Sequence, residues 1–131
     1  MKTKTIFVLV LLFSIASIIS CKKNEEKKNI DNYVGSWSVT GNCGKPYTMT
    51  ITASGSTLTL SKLQNCYTVT ASVSGNNLTI ATQTLDASTS SCGYPYTVSG
   101  SGIIDGNTLQ LTYTVKDISG TTSNCSSTAT K

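Results

Sequence analysis

Beyond residue 33 the chain alternates apolar and polar side chains with a period of two over long runs, and no stretch there carries the helical period at useful length. Period two places successive side chains on opposite faces of an extended strand. The pattern also repeats. Residues 47–60 align without gaps on residues 67–80, both opening on Tyr-Thr and both turning at a Ser-Gly pair. A third copy runs from Tyr96 through Asp105 and Gly106 to Leu111, two residues longer before its turn. An insertion of two leaves every side chain on its original face, whereas an insertion of one would exchange the faces. Gly55, Gly75 and Gly106 supply the positive φ that a tight hairpin needs, so each copy predicts strand, turn, strand.

Those six strands gain one before them at residues 35–40 and one after them at 124–130. Eight antiparallel strands in simple succession predict an all-β up-and-down barrel, a size whose interior side chains can fill. Closure would also remove the sheet edges that so few charges leave poorly defended. An open two-sheet sandwich is the alternative. In this register one face collects Trp37, Val39, Tyr47, Met49, Ile51, Leu58, Leu60, Tyr67, Val69, Val73, Leu78, Ile80, Tyr96, Val98, Ile104, Leu109, Leu111, Tyr113 and Val115, which form the expected core. The other face is nearly all Thr, Ser, Asn and Gln, a soluble exterior that suits strands.

Gly35-Ser36-Trp37, opening the first strand of an eight-stranded meander, resembles the Gly-x-Trp signature of lipocalin and avidin-like barrels. That resemblance implies a barrel over residues 33–131, with Trp37 plugging its closed end and a ligand received at its open mouth. The chain has no arginine to cover the tryptophan as in that family, and its body is shorter than a typical lipocalin.

Four cysteines, Cys43, Cys66, Cys92 and Cys125, stand at or near the starts of strands two, four, six and eight. In a meander alternate strands begin at the same end, so all four gather on one rim. No paired Cys-x-x-Cys arms are present, which argues against a zinc site and for two disulfides. Three pairings are open. Cys43 with Cys125 and Cys66 with Cys92 is preferred, because the first of these would lock the seam between the first and last strands.

Charge sets the location of the chain more than its chemistry. Six of the ten lysines fall within the first 28 residues, and residues after 32 carry four Lys against three Asp, too little positive charge for a nucleic-acid footprint. Residues 1–20 have the layout of a secretory leader, with Lys2 and Lys4 ahead of an apolar run from Ile6 to Ile19 that is too short to span a membrane comfortably. Ile18-Ile19-Ser20-Cys21 resembles a bacterial lipobox, which implies cleavage before Cys21 and acylation of that residue. Residues 22–32 are polar and read as a tether of at most about 36 Å. Lys22 to Glu26 resembles the signal that sends some lipoproteins to the cell surface. A cell-envelope, outer-membrane lipoprotein is therefore expected, periplasmic or surface-exposed, with the membrane as partner through its lipid.

With no histidine and only isolated aspartates, no catalytic triad or acid/base pair can be assembled, and neither enzyme activity, metal nor cofactor is expected. The connections at 41–46, 62–65, 85–95 and 116–124 all fall at the cysteine end, opposite the tight turns. Tyr47, Tyr67 and Tyr96, with Tyr113 and Met49 nearby, are the candidate ligand residues at that mouth. Small inward residues, Gly41, Ala71, Gly100, Gly102, Ser127 and Ala129, would leave room for a hydrophobic or amphipathic molecule. The alternatives are a protein-binding module or inhibitor using the rim loops, similar to the small disulfide-bonded lysozyme inhibitors, and a passive surface lipoprotein.

Overall fold

A computed structural model describes residues 29–131 except Thr89 and Tyr94; Cys21, the leader and most of the tether lie outside the described residues. Eight strands follow in order: β1 (Gly35–Gly41), β2 (Tyr47–Ser54), β3 (Thr57–Leu63), β4 (Tyr67–Ser74), β5 (Asn77–Leu85), β6 (Tyr96–Asp105), β7 (Thr108–Asp117) and β8 (Thr122–Thr130). Each pairs antiparallel with the next, and β8 returns to β1, so the sheet is a closed up-and-down barrel and not a two-sheet sandwich. Tight turns join β2 to β3, β4 to β5 and β6 to β7, with Gly55, Gly75 and Gly106 at φ 61°, 59° and 57°, the left-handed region that glycine enters without a Cβ penalty.

The alternation fills the barrel. Trp37, Val39, Met49, Ile51, Leu58, Leu60, Leu78, Val98 and Leu109 are fully buried, while their sequence neighbours on the strands are mostly exposed Ser and Thr. Two β-bulges interrupt the period. The β3–β4 register shifts between Leu60 and Leu63, and the β5–β6 register shifts between Ile80 and Gln83. Each shift exchanges the faces beyond it. Leu63 and Leu85, outside the core expected from strict alternation, are buried as a result.

The small inward residues do not leave a void. Gly100 lies opposite Tyr113 and Gly102 opposite Leu111. A Cβ on Gly100 would come within 2.6 Å of both the Thr112 carbonyl and Tyr113 Cβ, and one on Gly102 within 2.7 Å of a Leu111 methyl. The room the glycines vacate is thus occupied by the larger residues across the pair, which corrects the expectation of ligand space inside the barrel.

The tight-turn end is sealed by a helical turn at residues 29–33. Ile30, expected in the polar tether, is buried together with Tyr33, because a three-residue spacing puts both on one face of that turn. Trp37 closes this end. Its indole Nε1 donates to the Tyr33 carbonyl at 2.8 Å, and Lys131 Nζ sits 4.6 Å from its ring centroid. Lys131 also donates to the carbonyls of Asn32 and Val34, each at 2.8 Å. A lysine at the far end of the sequence thereby supplies the cation over the tryptophan that a search for arginine does not find.

Candidate functional site

The opposite end is shaped by the cysteines. Cys43 is bonded to Cys125 and Cys66 to Cys92, with Cα atoms 5.4 and 5.6 Å apart. Both pairs lie at the same rim, so all four of its sulfurs are committed to disulfides. The first disulfide extends the β1–β8 seam, where backbone pairing runs only from Ser38 with Thr130 to Gly41 with Ser127. Asn42 carries the ladder one step further, accepting from the Ser126 N–H at 2.8 Å through its side chain while its own N–H donates to the Ser126 carbonyl.

The second disulfide pins the long β5–β6 connection onto β4. Ser90 pairs with Tyr67, and both the N–H and the hydroxyl of Ser91 donate to the Cys66 carbonyl at 3.2 and 3.1 Å. This connection lies back along the wall, with Ser90 buried beside Cys66. It is needed there because β4 and β5 pair only from Ser72–Thr79 to Ser74–Asn77, near their turn. Beyond that point the Gln83 side chain takes over. The Thr70 N–H donates to Gln83 Oε1 and Gln83 Nε2 donates to the Thr70 carbonyl, both at 2.9 Å, so an amide side chain stands in for a missing strand partner. One edge of β4 is therefore covered in turn by β5, by Gln83 and by the pinned loop.

At the centre of this rim lies a cavity of about 210 Å³ lined by Gln64, Tyr67, Tyr96, Val115, Asp117, Thr121 and Ser123. Tyr67 and Tyr96 form two walls of it, their rings 5.1 Å apart and inclined at 68°. Burial pushes the Tyr67 phenol up to about 12, so it is a neutral group at physiological pH. Of the other candidate ligand residues, Tyr113 and Met49 are buried below the mouth and do not line the cavity. Tyr113 is held over Gly100, and Met49 is paired with Trp37 deep in the barrel. Tyr47 is half-buried beside them. Its hydroxyl makes no hydrogen bond of good geometry, although the Gln64 backbone and the Tyr113 phenol lie close enough to perturb it, and burial raises its pKa.

Two connections set the polar wall. The end of β3 and the β3–β4 connection hold Lys62, Gln64 and Asn65 at φ 66°, 52° and 62°, unusual values for non-glycine residues. They cost about 1–2 kcal/mol each and are held by the Asn65 N–H to Lys62 carbonyl bond at 2.8 Å. The result turns Leu63 into the core and Gln64 toward the mouth, where its Nε2 donates to the Cys43 carbonyl at 2.8 Å and its Oε1 is buried with no partner. In the β7–β8 connection Asp117 Oδ1 accepts from the Ser119 N–H (2.9 Å), the Ser119 hydroxyl (2.6 Å) and the Thr121 N–H (2.9 Å). These hydrogen bonds, Ser119's first, hold the Asp117 carboxyl below its ordinary range, so it is ionised. The same turn presents Ile118 to solvent at 72% exposure.

Sequence reasoning placed the tyrosines at this end but missed Gln64, Asp117, Thr121 and Ser123 as wall residues. The Asp-x-Ser spacing at 117–119, an Asx-turn pattern, was the signal that this loop is rigid. For Gln64 the local sequence carries no comparable mark. Comparison of the chain with protein-family models, with curated proteins and with solved structures found no match.

Proposed function

We propose that this protein is a lipid-anchored envelope protein whose barrel receives a small amphipathic molecule at the disulfide-bonded mouth. The observation that carries the reading is the cavity itself, where aromatic walls and Val115 meet the polar groups of Gln64, Asp117, Thr121 and Ser123. Small-ligand sites combine an apolar surface with a few placed polar groups in this way. At about 210 Å³ it is below the usual range of about 300–1,000 Å³, and the filled interior beneath it excludes a long acyl chain. The ligand is therefore held at the rim, not swallowed.

Anchoring through Cys21 rests on the leader and lipobox pattern. It is supported by the two disulfides, which belong to an oxidising compartment. The first described residues enter at the tight-turn end, so a tether arriving there directs the mouth away from the membrane. Binding, not catalysis, is the role this reading assigns.

A second reading has one observation in its favour. Ile118, exposed on a turn that Asp117 makes rigid, offers a preformed apolar contact beside the mouth for a protein partner. Native mass spectrometry of the full chain extracted from its own membranes separates the two. A co-purifying molecule of a few hundred daltons is expected, and a stoichiometric protein with no small molecule would favour docking through the rim. Loss of a palmitate analogue from the chain in Cys21→Ala, with retention in wild type, tests the anchor.

A further inference from the structure

The chemistry of the mouth points to the charge of what it binds. The lining residues contain one formal charge, the Asp117 carboxylate, and no cation among them. Lys45, Lys62 and Lys116 belong to the same rim, yet none of them lines the cavity. Three donors converge on Asp117 Oδ1, two from Ser119 and one from Thr121, and the Gly120 N–H also acts on this carboxyl. Gln64 has given its amide N–H to the Cys43 carbonyl and keeps a buried Oε1 that accepts nothing. That oxygen is buried away from solvent, so Gln64 closes the wall of the cavity and offers a ligand no acceptor through it. The remaining polar groups are hydroxyls, which can accept as readily as they donate. Opposite them stand the rings of Tyr67 and Tyr96, set at 68° to one another, whose faces attract positive charge.

Acceptors, one fixed carboxylate and two inclined aromatic rings make a site complementary to a small organic cation. Resting on the ligand-binding reading above, we propose that the mouth selects an alkylammonium group, its N–H or N–CH₃ edge on Asp117 and its alkyl part against Tyr67, Tyr96 and Val115. A cavity of this size admits an ammonium head with a few carbons. A neutral sugar would satisfy the acceptors but leave the carboxylate without a counter-charge, and an anion would meet Asp117 unfavourably.

The test uses the full chain in non-ionic detergent and ligand-observed NMR titration of n-butylammonium and tetramethylammonium against tert-butanol and glucose. The ammonium probes are expected to bind about threefold to fivefold more tightly than the neutral ones, as an ion pair to a solvent-exposed carboxylate implies. Asp117→Asn, which keeps an oxygen for the loop, is expected to abolish that preference without lowering the melting temperature by more than a few degrees. Added salt is expected to weaken ammonium binding in wild type. Binding of tert-butanol or glucose at the mouth as tight as that of the ammonium probes would overturn the charge selection and leave the ligand-binding reading standing. No binding of any probe would overturn both. The comparison of charged with neutral probes on the wild-type chain holds even where a variant fails to fold.

Discussion

Removing the two disulfides separately should destabilise the barrel unequally, and the order follows from where they sit in the chain. Cys43–Cys125 spans 82 residues and Cys66–Cys92 spans 26. In the chain-entropy relation the longer loop is worth about 4.5 kcal/mol at 25 °C and the shorter about 3.5 kcal/mol. The smaller loop is nested in the larger, so with Cys66–Cys92 intact the outer bond closes a shortened path and its value falls to about 4 kcal/mol. For a domain whose total stability is about 5–15 kcal/mol, either loss is large. The perturbations are Cys43→Ala with Cys125→Ala, and Cys66→Ala with Cys92→Ala. The assay is equilibrium urea unfolding followed by Trp37, the single tryptophan and fully buried. The outer pair should cost more by about 0.5–1 kcal/mol, and both variants should unfold with steeper urea dependence, because each denatured chain is less compact. A larger loss from the inner pair would refute the entropic reasoning and would mean that pinning the β5–β6 connection onto β4 outweighs loop length.

Other consequences can be checked on the same protein. Gly100→Ala should cost about 1–3 kcal/mol and lower the melting temperature more than Gly102→Ala. The first meets the Thr112 carbonyl and Tyr113 Cβ at 2.6 Å and Tyr113 Cα at 2.8 Å, the second a movable Leu111 methyl at 2.7 Å and the Gln110 carbonyl less closely, at 2.9 Å. Gln83→Ala removes both bonds to the Thr70 backbone and a third to its hydroxyl and should cost about 1–2 kcal/mol, with faster hydrogen exchange at the Thr70 amide and little change in β7. Tyr33 and Tyr67 are pushed up to about 12 by burial, so the folded state holds protons there that the unfolded chain gives up near 10. Stability should therefore fall as pH rises from about 10 to 12, and phenolate absorbance should develop in two stages, the later one accompanying unfolding. A single stage near pH 10 with the fold intact would contradict the burial of these phenols.

Much of this fold was legible in the alternation, because one face of every strand is buried and a period of two specifies that face without ambiguity. The disulfide rim followed from strand order, which left three pairings open, and the preferred one, with Cys43–Cys125 at the seam, is the one formed. What alternation could not carry is anything beyond a bulge. Leu63 and Leu85 lie past the shifts at Lys62 and Ala81–Thr82, and a parity rule has no memory across an extra residue. The helical turn at residues 29–33 was hidden by its brevity, with only Ile30 and Tyr33 to mark its buried face amid polar neighbours. Lys131 over Trp37 joins positions almost a hundred residues apart, which no local pattern reports. At the mouth, Tyr67 and Tyr96 stood out as aromatics at strand starts, whereas the space over Gly100 is filled by Tyr113 across the strand pair. Glycine in a sequence marks close approach but does not say whether a ligand or a side chain makes it.

The location of the binding site is tested most directly by following backbone amide shifts of the full chain while n-butylammonium is added. Shifts concentrated at Gln64, Tyr67, Tyr96, Asp117, Thr121 and Ser123, with Tyr33, Gly55, Gly75 and Gly106 unmoved, are the result the account predicts. Shifts centred on the tight-turn end, or none at saturating concentration, would contradict it.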